Sequence, residues 1–155
     1  MAETQTLSKK YLEAQIRTAS KEQLLLMLYD GAIQNCTNAI DFITNKNLEK
    51  SSEKLMKAQN IVAELISSLQ FDKNQEVSKN LAALYGYVYI QLMEGNIKQT
   101  TQPIQNSIKI LTTLRETWVQ AFENVGLNKD PKSSEVPATT EGAEVKNRVG
   151  LSIQA

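Results

Sequence analysis

Few residues in this 155-residue chain are equipped for covalent chemistry. There is no histidine, which removes histidine-based nucleophilic triads, imidazole-ligated zinc and the Glu-x-x-His spacing of di-iron bundles. The single cysteine, Cys36, has no partner for an internal disulfide. It falls on the flank of an apolar helical stripe, where a thiol is expected to be buried and inert. The glycines are scattered without the G-x-x-x-x-G-K spacing that cradles phosphate. The carboxylates are spread over helix surfaces without a concentrated cluster and read as solvated faces. No catalytic residue, cofactor site or metal site is therefore expected, and the chain does not read as an enzyme. What remains is recognition by tyrosine, isoleucine and methionine at helical spacing.

Those side chains need helices to position them. Ser20 followed by Gln23 is a capping-box pattern, so a long helix is expected to start near Lys21 and run to about Thr44. Leu24, Leu28, Ala32, Ala39, Phe42 and Ile43 recur at three- and four-residue steps and form its predicted core stripe. Leu26, Tyr29, Ile33 and Ile40 lie more than a quarter-turn away, at roughly 100° per residue. A helix apolar on two sides needs two partners. Asn35 projects onto the core stripe, where a buried amide needs hydrogen-bond partners and can fix helix register. Asp30 lies on the outer side, read as a surface charge that keeps that side wet.

After the polar break Asn45-Lys46-Asn47, a second helix is expected from about Leu48 to Leu69, with Leu55, Ala58, Val62, Leu65, Ile66 and Leu69 inward. Phe71, in the next connection, is expected to fold back onto the bundle. A third helix, about Gln75 to Gln99, has Val77, Leu81, Leu84, Tyr85, Val88 and Leu92 as its core stripe. Ala82, Gly86, Ile90, Met93 and Ile97 make a second apolar stripe on its far side. Small residues beside long ones form a groove suited to another helix. Pro103 suits the first turn of a fourth helix reaching about Phe122, with Ile104, Ile108, Leu111, Leu114, Trp118 and Phe122 inward. Lys9 to Arg17 is expected to form a short helix with Tyr11, Ala14 and Ile16 facing inward, preceded by a loose Met1 to Ser8. From Asn124 the chain lacks aromatics and is expected to be disordered.

The stretch Thr18-Ala19-Ser20 leading into Met27-Leu28-Tyr29-Asp30-Gly31-Ala32 resembles the signature of the FliS family of flagellar export chaperones. Four further stretches follow in family-like order: Lys57 to Val62, Asn80 to Tyr85, Asn96-Ile97-Lys98 and Leu114 to Trp118. The resemblance covers roughly Tyr11 to Phe122. It implies a protein that binds the disordered C-terminal region of flagellin, prevents premature polymerisation and assists delivery to the type III export gate. It also implies a movable N-terminal segment, with Tyr11 matching the family's N-terminal tyrosine; the other reading of Tyr11 is a plain hydrophobic anchor. The chain departs from the family at Gly86, where an Asp is usual, and around Ile90 and Gln91, where basic residues are usual.

The predicted architecture is an all-α, antiparallel up-down four-helix bundle over residues 20–123, after a mobile segment 1–19 with a short helix and before a disordered tail 124–155. With 17 basic and 17 acidic residues, no net field recommends nucleic acid or an anionic membrane. No apolar run suits membrane insertion, and Met1 to Lys10 does not resemble a signal peptide, so the cytoplasm is the expected compartment. Partner contacts are expected at Tyr29, Ile33, Ala82, Tyr85, Gly86, Tyr89, Ile90 and Met93, with Tyr11 and Ile16 in the N-terminal segment. The alternative is a self-associating helical bundle, a homodimer mated through the Ile90 stripe without a flagellin client.

Overall fold

The computed structural model describes residues 2–69 and 74–125, with side chains from Thr6 onward. The expectations for Phe71 and for the tail beyond Val125 lie outside the described residues. Five helices account for nearly all of this: α1 (Ala2–Thr18), α2 (Lys21–Thr44), α3 (Leu48–Ser68), α4 (Gln75–Lys98) and α5 (Gln102–Asn124). The capping box of α2 is formed as expected. The Gln23 amide donates to the Ser20 hydroxyl at 3.1 Å, and the Gln23 side chain accepts from the Ser20 N–H at 2.9 Å. Asn47 and Asn74 cap α3 and α4 in the same way, accepting from the amides of Lys50 and Val77.

Short connections make successive helices antiparallel, and α2 packs on α3, α3 on α4, α4 on α5 and α5 on α2. The bundle is thus a closed square in which α2 and α4 occupy diagonal corners. The α3–α4 edge is tied near the start of α3 and the end of α4: Ser51 donates to Gln99 and Ser52 to Asn96, each at 2.7 Å. Gly95 lies at the same end, and a Cβ there would sit 2.8 Å from Ile104 Cγ1, so α4 and α5 close together over it.

The core contains Leu55, Ala58, Val62 and Leu65 from α3, Val77, Leu81, Val88 and Leu92 from α4, and Ile104, Leu111, Trp118 and Phe122 from α5. On α2 the buried line is Tyr29, Ala32, Cys36 and Ala39. This corrects the expected stripe. Leu24 is exposed, Leu28, Phe42 and Ile43 are half-buried, and the centre of the face lies one residue further round. The physical reason is that α3 and α5 flank α2 on both sides, so Leu25, Leu26, Leu28, Ile33, Ile40 and Ile43 are all drawn partly inward. The two partners required by a doubly apolar α2 are these neighbours. Leu84 is likewise exposed rather than in the core of α4. Asn35 donates only to the Gly31 carbonyl of its own helix, at 2.8 Å, and bridges no pair of helices.

The N-terminal helix differs most from expectation. It extends back to Ala2, because Ala, Glu, Gln, Leu and Lys in this stretch are good helix formers. It has no extensive packing with any of the other four helices. Leu7, Tyr11, Leu12 and Ile16 are exposed, Tyr11 at 72%, so the inward orientation expected for Tyr11 and Ile16 is not found.

Candidate partner-binding site

The expected contact residues fall into three groups. Tyr29 and Tyr85 are buried in the bundle, not on its outside. Their hydroxyls form a short hydrogen bond across the core diagonal, and the Trp118 indole N–H donates to the Tyr29 oxygen at 3.0 Å. The two tyrosine rings are tilted by 54° with centroids 6.3 Å apart. Buried phenols need such partners, and here each partner comes from a different helix. Burial pushes both hydroxyls up, Tyr85 to about 12, and it pushes the Cys36 thiol up to about 12 as well. Tyr29, Tyr85 and Cys36 are therefore neutral core groups at physiological pH.

Ile33 and Tyr89 form the second group, half-buried and packed against the core. Ile33 is on α2, whose outer side carries exposed Asp30, Gln34, Thr37 and Asp41. Its outer face points away from that of α4 across the bundle. Asp30 is more than a wetting charge: both its carboxylate oxygens accept from Arg115, linking α2 to α5.

The third group is a surface. Ala82, Gly86, Ile90 and Met93 share the outer face of α4, with Ile97 continuing the stripe. Ile90 is 58% and Ile97 75% exposed, and a Cβ added to Gly86 would meet nothing within 4 Å. Residues 80–93 carry no charge. Tyr87 and Leu84, both exposed, widen the apolar face on one flank. Neither was expected there. Tyr87 follows Gly86 by a single residue, about 100° round, and was legible as a neighbour of the stripe. Leu84 lies close to the edge of the inward arc, where the wheel alone does not separate core from rim. Within the bundle the exposed large apolar residues are concentrated on α4, with Leu24 on α2 and Leu48 and Met56 on α3 exposed outside that face.

Tyr11 and Ile16 lie on α1, which has no extensive packing with α4, and both are exposed. Among the described residues no three His, Cys, Asp or Glu side chains converge on a metal-sized site, and no helix is long and apolar enough to cross a membrane. What the α4 face can offer is apolar surface whose removal from water is favourable.

Residues 3–125 match the family described as "Flagellar protein FliS", which spans the whole bundle and most of α1. The chain is 35% identical to the flagellar secretion chaperone FliS of Bacillus subtilis strain 168, over 74% of this chain and 84% of that one. It is 32% identical to the protein of the same name in Salmonella typhimurium, over 70% and 82% of the two chains. The Escherichia coli K12 namesake is 27% identical over 83% of this chain and 95% of its own. An all-helical bundle with an uncharged apolar face, matched along nearly its full described length, belongs to the FliS family of flagellar secretion chaperones.

Proposed function

We propose that this protein binds the C-terminal region of flagellin before export, keeps it from polymerising prematurely, and hands it to the type III export gate in the cytoplasm. The observation that carries this reading is the uncovered apolar face of α4 in a chain of this family. A disordered client segment would gain by burying its apolar positions on that face, offsetting the chain entropy lost on ordering. The contacts fall on Ala82, Gly86, Ile90 and Met93, extended by Tyr87 and Ile97. Tyr29 and Tyr85 support the face from within.

The undocked α1 is the movable element in this reading. Its exposed Tyr11 and Ile16 are free to contact the client or the export gate once the client is seated.

Seeded polymerisation of the same organism's purified flagellin tests the proposal. Stoichiometric chaperone is expected to suppress filament growth, and Ile90→Glu to restore it. Growth unaffected by the wild-type protein would remove the flagellin assignment.

A further inference from the structure

Two polar links between α2 and α5 fall at one level of the bundle and involve neighbouring residues on each helix. On the outside, the Arg115 guanidinium donates through Nε to Asp30 Oδ1 at 2.5 Å and through Nη2 to Asp30 Oδ2 at 3.2 Å. On the inside, the Trp118 indole N–H donates to the Tyr29 hydroxyl at 3.0 Å, and that hydroxyl is hydrogen-bonded to Tyr85 on α4. Asp30 follows Tyr29 directly, about 100° round α2, and Arg115 precedes Trp118 by three residues, about 60° round α5. A single tie fixes the distance between two helices and leaves each free to turn about its axis. Two ties at different angles remove that freedom.

Apolar packing constrains the rotation of α2 only loosely. Leu25, Leu26, Leu28, Ile33, Ile40 and Ile43 are all half-buried beside its fully buried line, so the apolar arc is wide. Burial of apolar area is non-directional, and a turn of α2 that carried Leu25 or Leu26 inward in place of Tyr29 would still bury a large apolar side chain. Hydrogen bonds are directional, and the bidentate fork of arginine on a carboxylate fixes an orientation as well as a distance. As a plain attraction the pair contributes little, because the Asp30 and Arg115 side chains are 56% and 32% exposed and water screens them. Its geometry is the larger part of what it gives.

We propose that Asp30 and Arg115 are positioning residues: their ion pair sets the rotation of α2 against α5, and so presents the Tyr29 hydroxyl to Trp118 and Tyr85. The ordering runs from an exposed pair inward to a buried network that joins three helices. This is independent of the client-binding reading above.

Trp118 is the single tryptophan, so its indole N–H gives one resolvable resonance in a proton–nitrogen correlation spectrum of the full chain. Tyr29→Phe, which removes the acceptor, marks where that resonance falls when the bond is absent. Arg115→Lys keeps the charge and loses the fork; Asp30→Asn keeps the shape and loses the charge. Each is expected to move the resonance toward the Tyr29→Phe position and to speed indole N–H exchange at least about tenfold, with the helical far-UV spectrum unchanged. The double variant is expected to match the stronger single one, since either change breaks the same pair. Glu53→Gln, which removes an exposed pair within α3, is expected to leave the resonance in place. A resonance unmoved in both single variants would overturn the proposal, because the indole bond would then form without the pair. An equal displacement by Glu53→Gln would overturn it too, by assigning the change to surface charge in general.

Discussion

The hydroxyl of Tyr29 joins three helices: it accepts from Trp118 on α5 and is hydrogen-bonded to the Tyr85 hydroxyl on α4. Removing it leaves two buried polar groups without their partner, whereas removing the Tyr85 hydroxyl leaves the Trp118–Tyr29 bond in place. Tyr29→Phe is therefore expected to cost about 2–3 kcal/mol in urea unfolding and Tyr85→Phe about 1 kcal/mol. The reverse order would contradict the network. The raised phenol values also give a sign for alkaline pH. The folded state holds these protons more tightly than the unfolded chain, so their stabilising contribution is complete below about pH 10, the ordinary tyrosine value. It is lost as pH rises from there through about 12, the folded value for Tyr85. Unfolding free energy measured across this window is expected to fall, and the slope to flatten in Tyr29→Phe. At this scale the sequence was least informative. Tyr29 looked like an outer residue because its partners lie 56 and 89 residues away, and no local spacing shows that a phenol has a donor and a second hydroxyl waiting for it in the core.

Helices were more legible than residues because their signals are local. Ser20 and Gln23 announce the start of α2, and Asn47 and Pro103 lie at the starts of α3 and α5. The inward face of α3 was largely legible: Leu55, Ala58, Val62 and Leu65 are buried and Ile66 and Leu69 half-buried, although Ser51 and Gln59 are buried with them and Met56 is exposed. The face of α2 was not, because two flanking helices cover a wide apolar arc whose centre the stripe alone cannot locate. Polarity alone marks the residues before Lys9 as loose, although most of them are good helix formers, and α1 starts at Ala2. Its isolation leads to a simple expectation. Deleting residues 2–18 is expected to change the unfolding free energy by less than about 0.5 kcal/mol, since little buried surface is lost; a larger loss would show that α1 supports the bundle. Gly95 provides a test of the α4–α5 packing. Gly95→Ala drives a methyl against Ile104, and is expected to destabilise by about 1–3 kcal/mol in the same assay. Tolerance of alanine there would contradict that close packing.

For the whole molecule, the bundle leaves more exposed large apolar side chains on α4 than on α2, α3 or α5. The sequence shows the α4 part of this as a second stripe from Ala82 through Ile97, of which Ile90, Met93 and Ile97 are exposed and Ala82 and Gly86 half-buried; the matching excess expected on α2 is largely taken up by its neighbours. What the stripe receives was not readable from periodicity, because an apolar face records the area to be buried and not the identity of the partner. Membership of a family of flagellar secretion chaperones supports a client protein as the occupant proposed above. Calorimetric titration with the flagellin C-terminal peptide over a range of temperatures tests the central claim most directly. One-to-one binding with a clearly negative heat-capacity change is expected, since binding removes apolar surface from water. Ile90→Glu, at an exposed position that leaves the core intact, is expected to weaken binding at least about tenfold by placing an unpaired charge in a dry contact. Absence of binding, or wild-type affinity in Ile90→Glu, would contradict the account.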